Sequence, residues 1–141
     1  MQQEKLKVVL DTNIIISAAV SIEGTPARIF EMLIDKRIKN YITNEILEEI
    51  IQVINRPYFR EMISNDYREF IISTVVSSSI LIEPKFNEKV SEHSNDDKFL
   101  NCALTAKANI ISGDQHLLKI KGFRDVRVFS ASEFIQKCQK K

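Results

Sequence analysis

The chain has 141 residues, of which 44% are hydrophobic and 28% charged, so we expect one globular domain over residues 1–141 and exclude intrinsic disorder. The formal net charge of +1 excludes a general basic field, so nucleic acid would need a local patch or a metal ion. The two cysteines lack zinc-site spacing, and the longest apolar stretch, residues 14–20, is too short to cross a bilayer.

The first half of the chain alternates apolar runs with amphipathic stretches. Thr25 is the expected N-cap of the second helix, with Pro26 at its first position, and Pro57 is expected to stop the third helix. The predicted elements are a strand over residues 6–10, helices over 14–20 and from 26, a short strand at 41–42, a helix from Thr43 to Asn55, and a helix over 66–79 carrying Phe70, Ile71, Thr74 and Val75 on one face.

The second half continues the alternation of strands and helices. We expect a buried thiol at Cys102 and a helix N-cap at Ser130. The predicted elements are a strand at 80–82, a polar loop over 87–95, a helix over 96–107, strands at 109–112 and 126–129, a short helix or turn at 117–121, and a C-terminal helix. Strands that alternate with helices predict an α/β fold with a parallel central sheet.

Two aspartates follow predicted buried strands. Asp11 ends the run Val8–Leu10, and Asp114 comes two residues after Ser112, at the end of another strand. Ligand sites of open α/β sheets form at the carboxyl ends of their strands. Each residue taken alone also suits a helix N-cap or a turn. Thr12, Asn13 and Ser112 would add hydrogen-bonding groups beside these acids.

Two further acidic positions lie on helices. Asp96 shares a helix face with the apolar residues Phe99, Leu100 and Ala103, so its carboxylate is expected to face the sheet edge. Its neighbour Asp97 lies on a less apolar face, and the pair also suits simple complementarity to the helix dipole. In the third helix the apolar stripe places Glu48 and Glu49 on its two flanks, and Val53 tilts the stripe towards Glu49, which leaves the choice between them open.

Carboxylates brought together in this way favour a metal site. Crowded carboxylates repel each other and stay ionised only if a positive charge lies among them. A site made only of oxygen ligands favours Mg²⁺ or Mn²⁺. Metal-dependent phosphodiester hydrolysis is therefore the first interpretation of the pattern.

The order of these motifs resembles the PIN domain family, and within it most closely the branch of toxin components of toxin–antitoxin systems (VapC-like ribonucleases). The resemblance covers nearly the whole chain. Its motifs are Asp11-Thr12-Asn13 after the first strand, Glu49 leading into Val53, Arg56 and Pro57, Asn95-Asp96-Asp97 before a helix, and Ser112-Gly113-Asp114 after a strand.

The resemblance implies a three-layer α/β/α sandwich and a cytoplasmic endoribonuclease that uses Mg²⁺ or Mn²⁺. It assigns the catalytic quartet to Asp11, Glu49, Asp96 and Asp114, with the three aspartates as metal ligands and Asn13, Ser112 and Asp97 in support. It also implies an RNA substrate, a small antitoxin partner and a homodimer, without a membrane. Ser112 stands where threonine is commoner, and His93 stands where many relatives have another aspartate.

Other functions fit the sequence less well. A non-catalytic module that binds RNA or a partner on the same scaffold is the main alternative, although an acidic quartet without metal would destabilise the fold. A receiver-like or dehalogenase-like phosphotransfer domain would need a second acid in the Asp11-Thr12-Asn13 segment. A dinucleotide-binding domain would need a glycine-rich loop, and the chain has three glycines.

Overall fold

The computed structural model describes residues 6–90 and 94–139 and places a mostly parallel sheet between helices. This architecture confirms the predicted three-layer fold. The strands are β1 Leu6–Leu10, β2 Ile38–Ile42, β3 Ser79–Leu81, β4 Asn109–Ile111, β5 Gly122–Phe123 and β6 Val126–Phe129. The helices are α1 Thr12–Val20, α2 Thr25–Ile34, α3 Asn44–Ile54, α4 Pro57–Met62, α5 Asn65–Ser78, α6 Asp97–Ala106, α7 Gln115–Ile120 and α8 Ala131–Gln139, and a 3-10 turn, Ser94–Asp96, precedes α6.

The strand order is β3-β2-β1-β4-β6-β5, and only the β5–β6 pair is antiparallel. The chain first builds outwards from β1 through β2 to β3, and then crosses back to place β4 on the other side of β1. The space between β1 and β4 is therefore the topological switch point, where ligand sites of open α/β sheets form. The most deeply buried apolar residues of the core include Val9, Ile15, Leu33, Ile71 and Ile110.

Several element boundaries differ from the sequence-based expectation. Gly24 rather than Thr25 is the N-cap of α2, because the helix begins one residue earlier than the cap pattern suggests. Pro57 ends α3 as expected but also begins α4, since proline is accepted in the first turn of a helix. The two-residue strand β5 was not predicted. Phe70, which was placed on one helix face with Ile71 and Val75, is 48% exposed, whereas those two residues are buried.

At the amino edge of the sheet, basic residues with left-handed backbone conformations lie in the turns that lead into the strands. Lys36, Lys107 and Arg124 have φ values of 59°, 57° and 55°, and each lies shortly before a strand that starts at this edge. Glycine is the residue that usually occupies such positions, because a side chain makes this conformation costly. Within the described ranges, no helix is long and apolar enough to cross a membrane.

Candidate active site

At its carboxyl end, strand β1 stops pairing with β2 but continues to pair with β4. β1 pairs with β2 as far as Val8 opposite Asn40, whereas its pairing with β4 continues to Leu10 opposite Ile111. The buried Asn40 side chain accepts a hydrogen bond of 2.9 Å from the Leu10 N–H, in place of a backbone partner. The chain that follows β1 is thereby directed towards the end of β4.

Asp11 is the first residue after β1 and is only 4% exposed. Its N–H continues the ladder by donating to the Ile111 carbonyl at 2.9 Å. Its carboxylate accepts a 2.5 Å hydrogen bond from the Ser112 hydroxyl at Oδ2 and a longer one, 3.4 Å, from the Asn13 N–H at Oδ1. Asp11 is thus both the N-cap of α1 and a buried carboxylate at the switch point.

Ser112 connects two of the predicted acids. Its side chain is completely buried, and its oxygen accepts a 2.9 Å hydrogen bond from the Asp114 N–H while its proton goes to Asp11. The half-buried Asp114 caps α7 by accepting from the His116 N–H at 2.8 Å. The loop after β4 therefore orients both aspartates through a single hydroxyl group.

Asp96 and Asp97 have different surroundings although they are adjacent. Both are buried, at 6% and 7% exposure. Asp96 ends the 3-10 turn and lies close enough to Asp11 for their charges to interact. Asp97 accepts a 3.1 Å hydrogen bond from the Val90 N–H, so it holds the extended segment that precedes the turn.

This extended segment, residues 85–90, is fastened along one face of α6. Asn101 exchanges two hydrogen bonds with the Glu88 backbone, at 2.8 and 3.1 Å, and Thr105 accepts from the Lys85 N–H at 2.9 Å. With Asp97, these residues follow one another at four-residue intervals, which is the spacing of a single helix face. The less apolar face of α6, which carries Asp97, therefore binds the backbone of residues 85–90.

Electrostatic strain is concentrated on Asp11, whose pKa is raised to about 6. Burial is the largest cause, and the nearby carboxylates of Asp114 and Asp96 raise the pKa further. The hydrogen bonds from Ser112 and Asn13 act in the opposite direction but are outweighed. A cation placed among the three aspartates would relieve this penalty.

The third helix presents Glu49 to the site and Glu48 to solvent. Glu49 Oε2 accepts a short hydrogen bond from the Thr12 hydroxyl, and its Oε1 accepts from Asn95 Nδ2 at 3.1 Å. Thr43 fixes the start of this helix by capping the Ile46 N–H, as predicted. The side of α3 that packs on the core thus brings Glu49 to Thr12, the residue that follows Asp11.

A buried lysine completes the surroundings of Glu49, and sequence reasoning missed it. Lys98 Nζ lies 2.7 Å from Glu49 Oε1 and donates to the carbonyl and side-chain oxygens of Asn95 at 2.5 and 2.7 Å. Burial alone would raise the pKa of Glu49, but the hydrogen bonds from Lys98 and Thr12 and the charge of Lys98 lower it below its ordinary value. The chain itself therefore supplies the cation that makes the charge of Glu49 tolerable.

One signal in the sequence points to Lys98. It precedes Cys102 by four residues, so the two share a helix face. Cys102 is completely buried, as predicted, and burial raises the pKa of its thiol to about 12. A lysine on the buried face of a helix, two residues after an acid of the site, must find an anion or several acceptors.

The acids lie in one region but do not form a closed set of ligands. Among residues 6–90 and 94–139, no three acidic, histidine or cysteine side chains lie close enough together to hold a metal ion. The donor chemistry nevertheless suits a hard divalent cation, because the carboxylates of Asp96 and Asp114 lie near enough to Asp11 to raise its pKa.

The other residues singled out in the sequence lie at the periphery. The Asn13 side chain is exposed beside Asp11, and His116 is exposed in the first turn of α7. His93 lies outside the described residues.

Comparisons with known proteins concern the family and the fold. The sequence model of the PIN domain matches residues 7–116, a range that contains all four predicted acids. Uncharacterized protein MJ1680 of Methanocaldococcus jannaschii is 38% identical over 122 residues, which is 86% of this chain and 79% of that protein. The crystal structure of VapBC2 from Rickettsia felis, bound to a DNA fragment from their promoter, contains a chain that superposes with a TM-score of 0.61 at 15% identity, over 89% of this chain and 98% of that one.

Proposed function

Because this chain belongs to the PIN domain family, we propose that it is a divalent-metal-dependent endoribonuclease. The observation that carries the proposal is the buried carboxylate of Asp11, whose pKa is raised to about 6 beside Asp96 and Asp114. An ionised carboxylate in these surroundings destabilises the fold unless a cation occupies the site. Sites of this kind are strong candidates for function.

In the proposed reaction Asp11, Asp96 and Asp114 would hold Mg²⁺ or Mn²⁺, directly or through water. The ion would supply an activated water molecule and stabilise the charge that develops on the phosphate. Ser112 keeps Asp11 oriented through its hydroxyl and fixes the start of the Asp114 loop through the same atom. Glu49, which accepts hydrogen bonds from Thr12 and Lys98, would orient the attacking water.

The direct test is cleavage of folded RNA by purified protein in the presence of Mn²⁺. We expect discrete fragments that disappear with a chelator and return when metal is added. Asp114→Asn should reduce the rate at least a hundredfold, the loss typical of removing one key electrostatic group. Fragments of equal yield from Asp114→Asn would show that a contaminant made them, and duplex DNA should remain intact.

The alternative is a module that binds RNA or a partner without cleaving it. Two observations favour it: the acids of the described ranges do not form a ready ligand set, and Glu49 is already neutralised by Lys98. Titration of Mn²⁺ into chelator-treated protein separates the two functions. A rise in melting temperature that Asp11→Asn and Asp96→Asn both abolish supports the nuclease, whereas no shift at millimolar metal supports the binding module.

We also propose that a small antitoxin protein holds the enzyme inactive in the cytoplasm. The fold shared with a chain of the VapBC2 complex motivates this partner. Expression of the chain alone should slow growth, and co-expression of a small protein encoded beside it should restore growth. Normal growth at confirmed soluble expression would instead indicate a nuclease that acts without such a partner.

A further inference from the structure

Lys98 is a cation built into an otherwise acidic site. Its side chain is only 5% exposed, although lysine is rarely buried unless paired. All three donors of an ammonium group find acceptors here, at distances of 2.5 to 2.7 Å: Glu49 Oε1, the Asn95 carbonyl and Asn95 Oδ1. The ammonium is therefore held in one place by three hydrogen bonds.

The same contacts occupy Glu49. One of its oxygens accepts from Lys98 and Asn95, and the other accepts from Thr12. The carboxylate is thus tied to α6, to the turn before it and to the first residue of α1. A metal ion that used Glu49 as a ligand would have to displace these donors and would come close to a fixed positive charge.

Asp11 has the opposite surroundings. Burial and the charges of Asp114 and Asp96 raise its pKa, and the hydrogen bonds from Ser112 and Asn13 are what oppose this rise. The site accordingly has two halves, one in which a carboxylate is neutralised by the chain and one in which a carboxylate still needs a cation.

We propose that Lys98 is a positioning residue that keeps Glu49 outside the metal's ligand set, so that the site takes one divalent ion and not two. The Lys98 ammonium already supplies, beside Glu49, the positive charge that a second divalent ion would otherwise bring. Through Glu49 it also fixes the group proposed to orient the attacking water. This inference rests on the proposed nuclease function.

The test counts Mn²⁺ ions bound by the chelator-treated full chain in a calorimetric titration, with RNA cleavage measured in parallel. We expect one ion per wild-type chain. In Lys98→Met a positive charge is lost and Glu49 is released, so Mn²⁺ should bind at least tenfold more tightly or a second equivalent should appear. The rate of RNA cleavage should fall at least tenfold in the same variant, because Glu49 is no longer held. A purely structural role would weaken both binding and cleavage.

Three further variants complete the design. Lys98→Arg keeps the ion pair and should keep the single ion with part of the cleavage rate. Should Lys98→Met fail to fold, the double variant Lys98→Met with Glu49→Gln removes both charges and should bind one ion with an affinity within threefold of wild type. The exposed Lys39, changed to methionine, is the matched control and should leave the stoichiometry unchanged.

The outcomes distinguish this inference from the proposed function. Two ions bound by the wild type, or unchanged stoichiometry and affinity in Lys98→Met, would overturn the role of Lys98 and leave the nuclease intact. Weaker binding by a folded Lys98→Met would also overturn it. No binding of Mn²⁺ by the wild type at millimolar concentration would overturn the proposed function itself, and the one-ion site with it.

Discussion

At the carboxyl edge of the sheet, Asp11, Asp96 and Asp114 lie close enough for their charges to interact, whereas at the amino edge the chain turns through Lys107 and Arg124 in left-handed backbone conformations. Both arrangements cost stability, but in different ways. The cost at the carboxyl edge depends on pH and on metal, because it is electrostatic. The cost at the amino edge is steric and independent of both, so solution conditions can separate the two edges.

The largest expected effect concerns catalysis at the carboxyl edge. Glu49→Gln should reduce RNA cleavage by about two to three orders of magnitude, because it removes a charged group next to the reacting centre. The exposed Glu48 is the matched control, and Glu48→Gln should leave the rate within about twofold. Steady-state cleavage rates decide between them, and an inactive Glu48→Gln would show that the other flank of α3 serves the site.

The same substitution tests the ion pair with Lys98. Glu49→Gln should lower the metal-free melting temperature, since it leaves the ammonium buried without its anion. If repulsion among the four acids dominated instead, Glu49→Gln would raise the metal-free melting temperature. Glu48→Gln should change the melting temperature little, because its side chain is solvated.

The second effect is the electrostatic cost of Asp11 in the absence of metal. Its pKa of about 6, against an ordinary 3.8, corresponds to about 3 kcal/mol of lost stability when the group is ionised. Because the folded pKa is raised, this stability is fully present below pH 3.8 and is lost as the pH rises through about 6. Asp11→Asn should therefore be more stable than wild type by about 1–3 kcal/mol at pH 7, and the difference should vanish near pH 4.

Chemical unfolding at a series of pH values, with chelator present, measures this difference. A stability gap between Asp11→Asn and wild type that does not change from pH 4 to pH 7 would contradict the raised pKa. With Mn²⁺ at neutral pH the order should reverse, because only the wild type gains stability from the ion.

A smaller effect is expected at the amino edge. Lys107 ends α6 with φ 57° and ψ 49°, a conformation that suits glycine. Lys107→Gly should stabilise the protein by about 0.5–1 kcal/mol at every pH and with or without metal. Gln52→Gly, at an exposed position inside α3, should instead destabilise by about 1 kcal/mol. A destabilised Lys107→Gly would mean that the lysine side chain makes contacts worth more than the backbone strain.

The smallest expected effect is the coupling free energy between substitutions at the two edges. Asp11 and Lys107 lie at opposite ends of the strands β1 and β4, without a shared hydrogen-bond partner. Their stability effects in the double variant should add to within about 0.5 kcal/mol. A larger coupling energy in metal-free unfolding experiments would show that α6 transmits strain from one edge to the other.

Most of the architecture could be predicted because it depends on local patterns. Strand β1 ends in the buried apolar run Val8–Leu10, and Thr43 and Ser130 begin their helices with capping side chains. The two-residue strand β5 has no pattern of its own, since it is defined only by pairing with β6. The exposed Phe70 shows a second limit: helix periodicity finds a stripe but not how far the neighbouring elements cover it.

The candidate site could be predicted in part. Asp11, Asp96 and Asp114 occupy places that the strand ends and the helix face define, and the structure brings their charges together. Lys98 could not be assigned in the same way, because its role depends on α3 and α6 meeting at Glu49, a contact between residues 49 positions apart. Side-chain partners of this kind follow from tertiary packing.

The Ser112 hydroxyl makes the two oxygens of Asp11 chemically inequivalent. A hydroxyl group has one proton, and the Asp114 N–H already donates to its oxygen, so the proton is directed at Asp11 Oδ2. That oxygen is an acceptor whether or not the carboxyl group is protonated. When Asp11 takes up a proton near pH 6, we therefore expect the proton at Oδ1, which among the described residues accepts the longer contact, 3.4 Å, from the Asn13 N–H. The backbone turn after β4 thus selects the oxygen of a distant side chain at which protonation occurs.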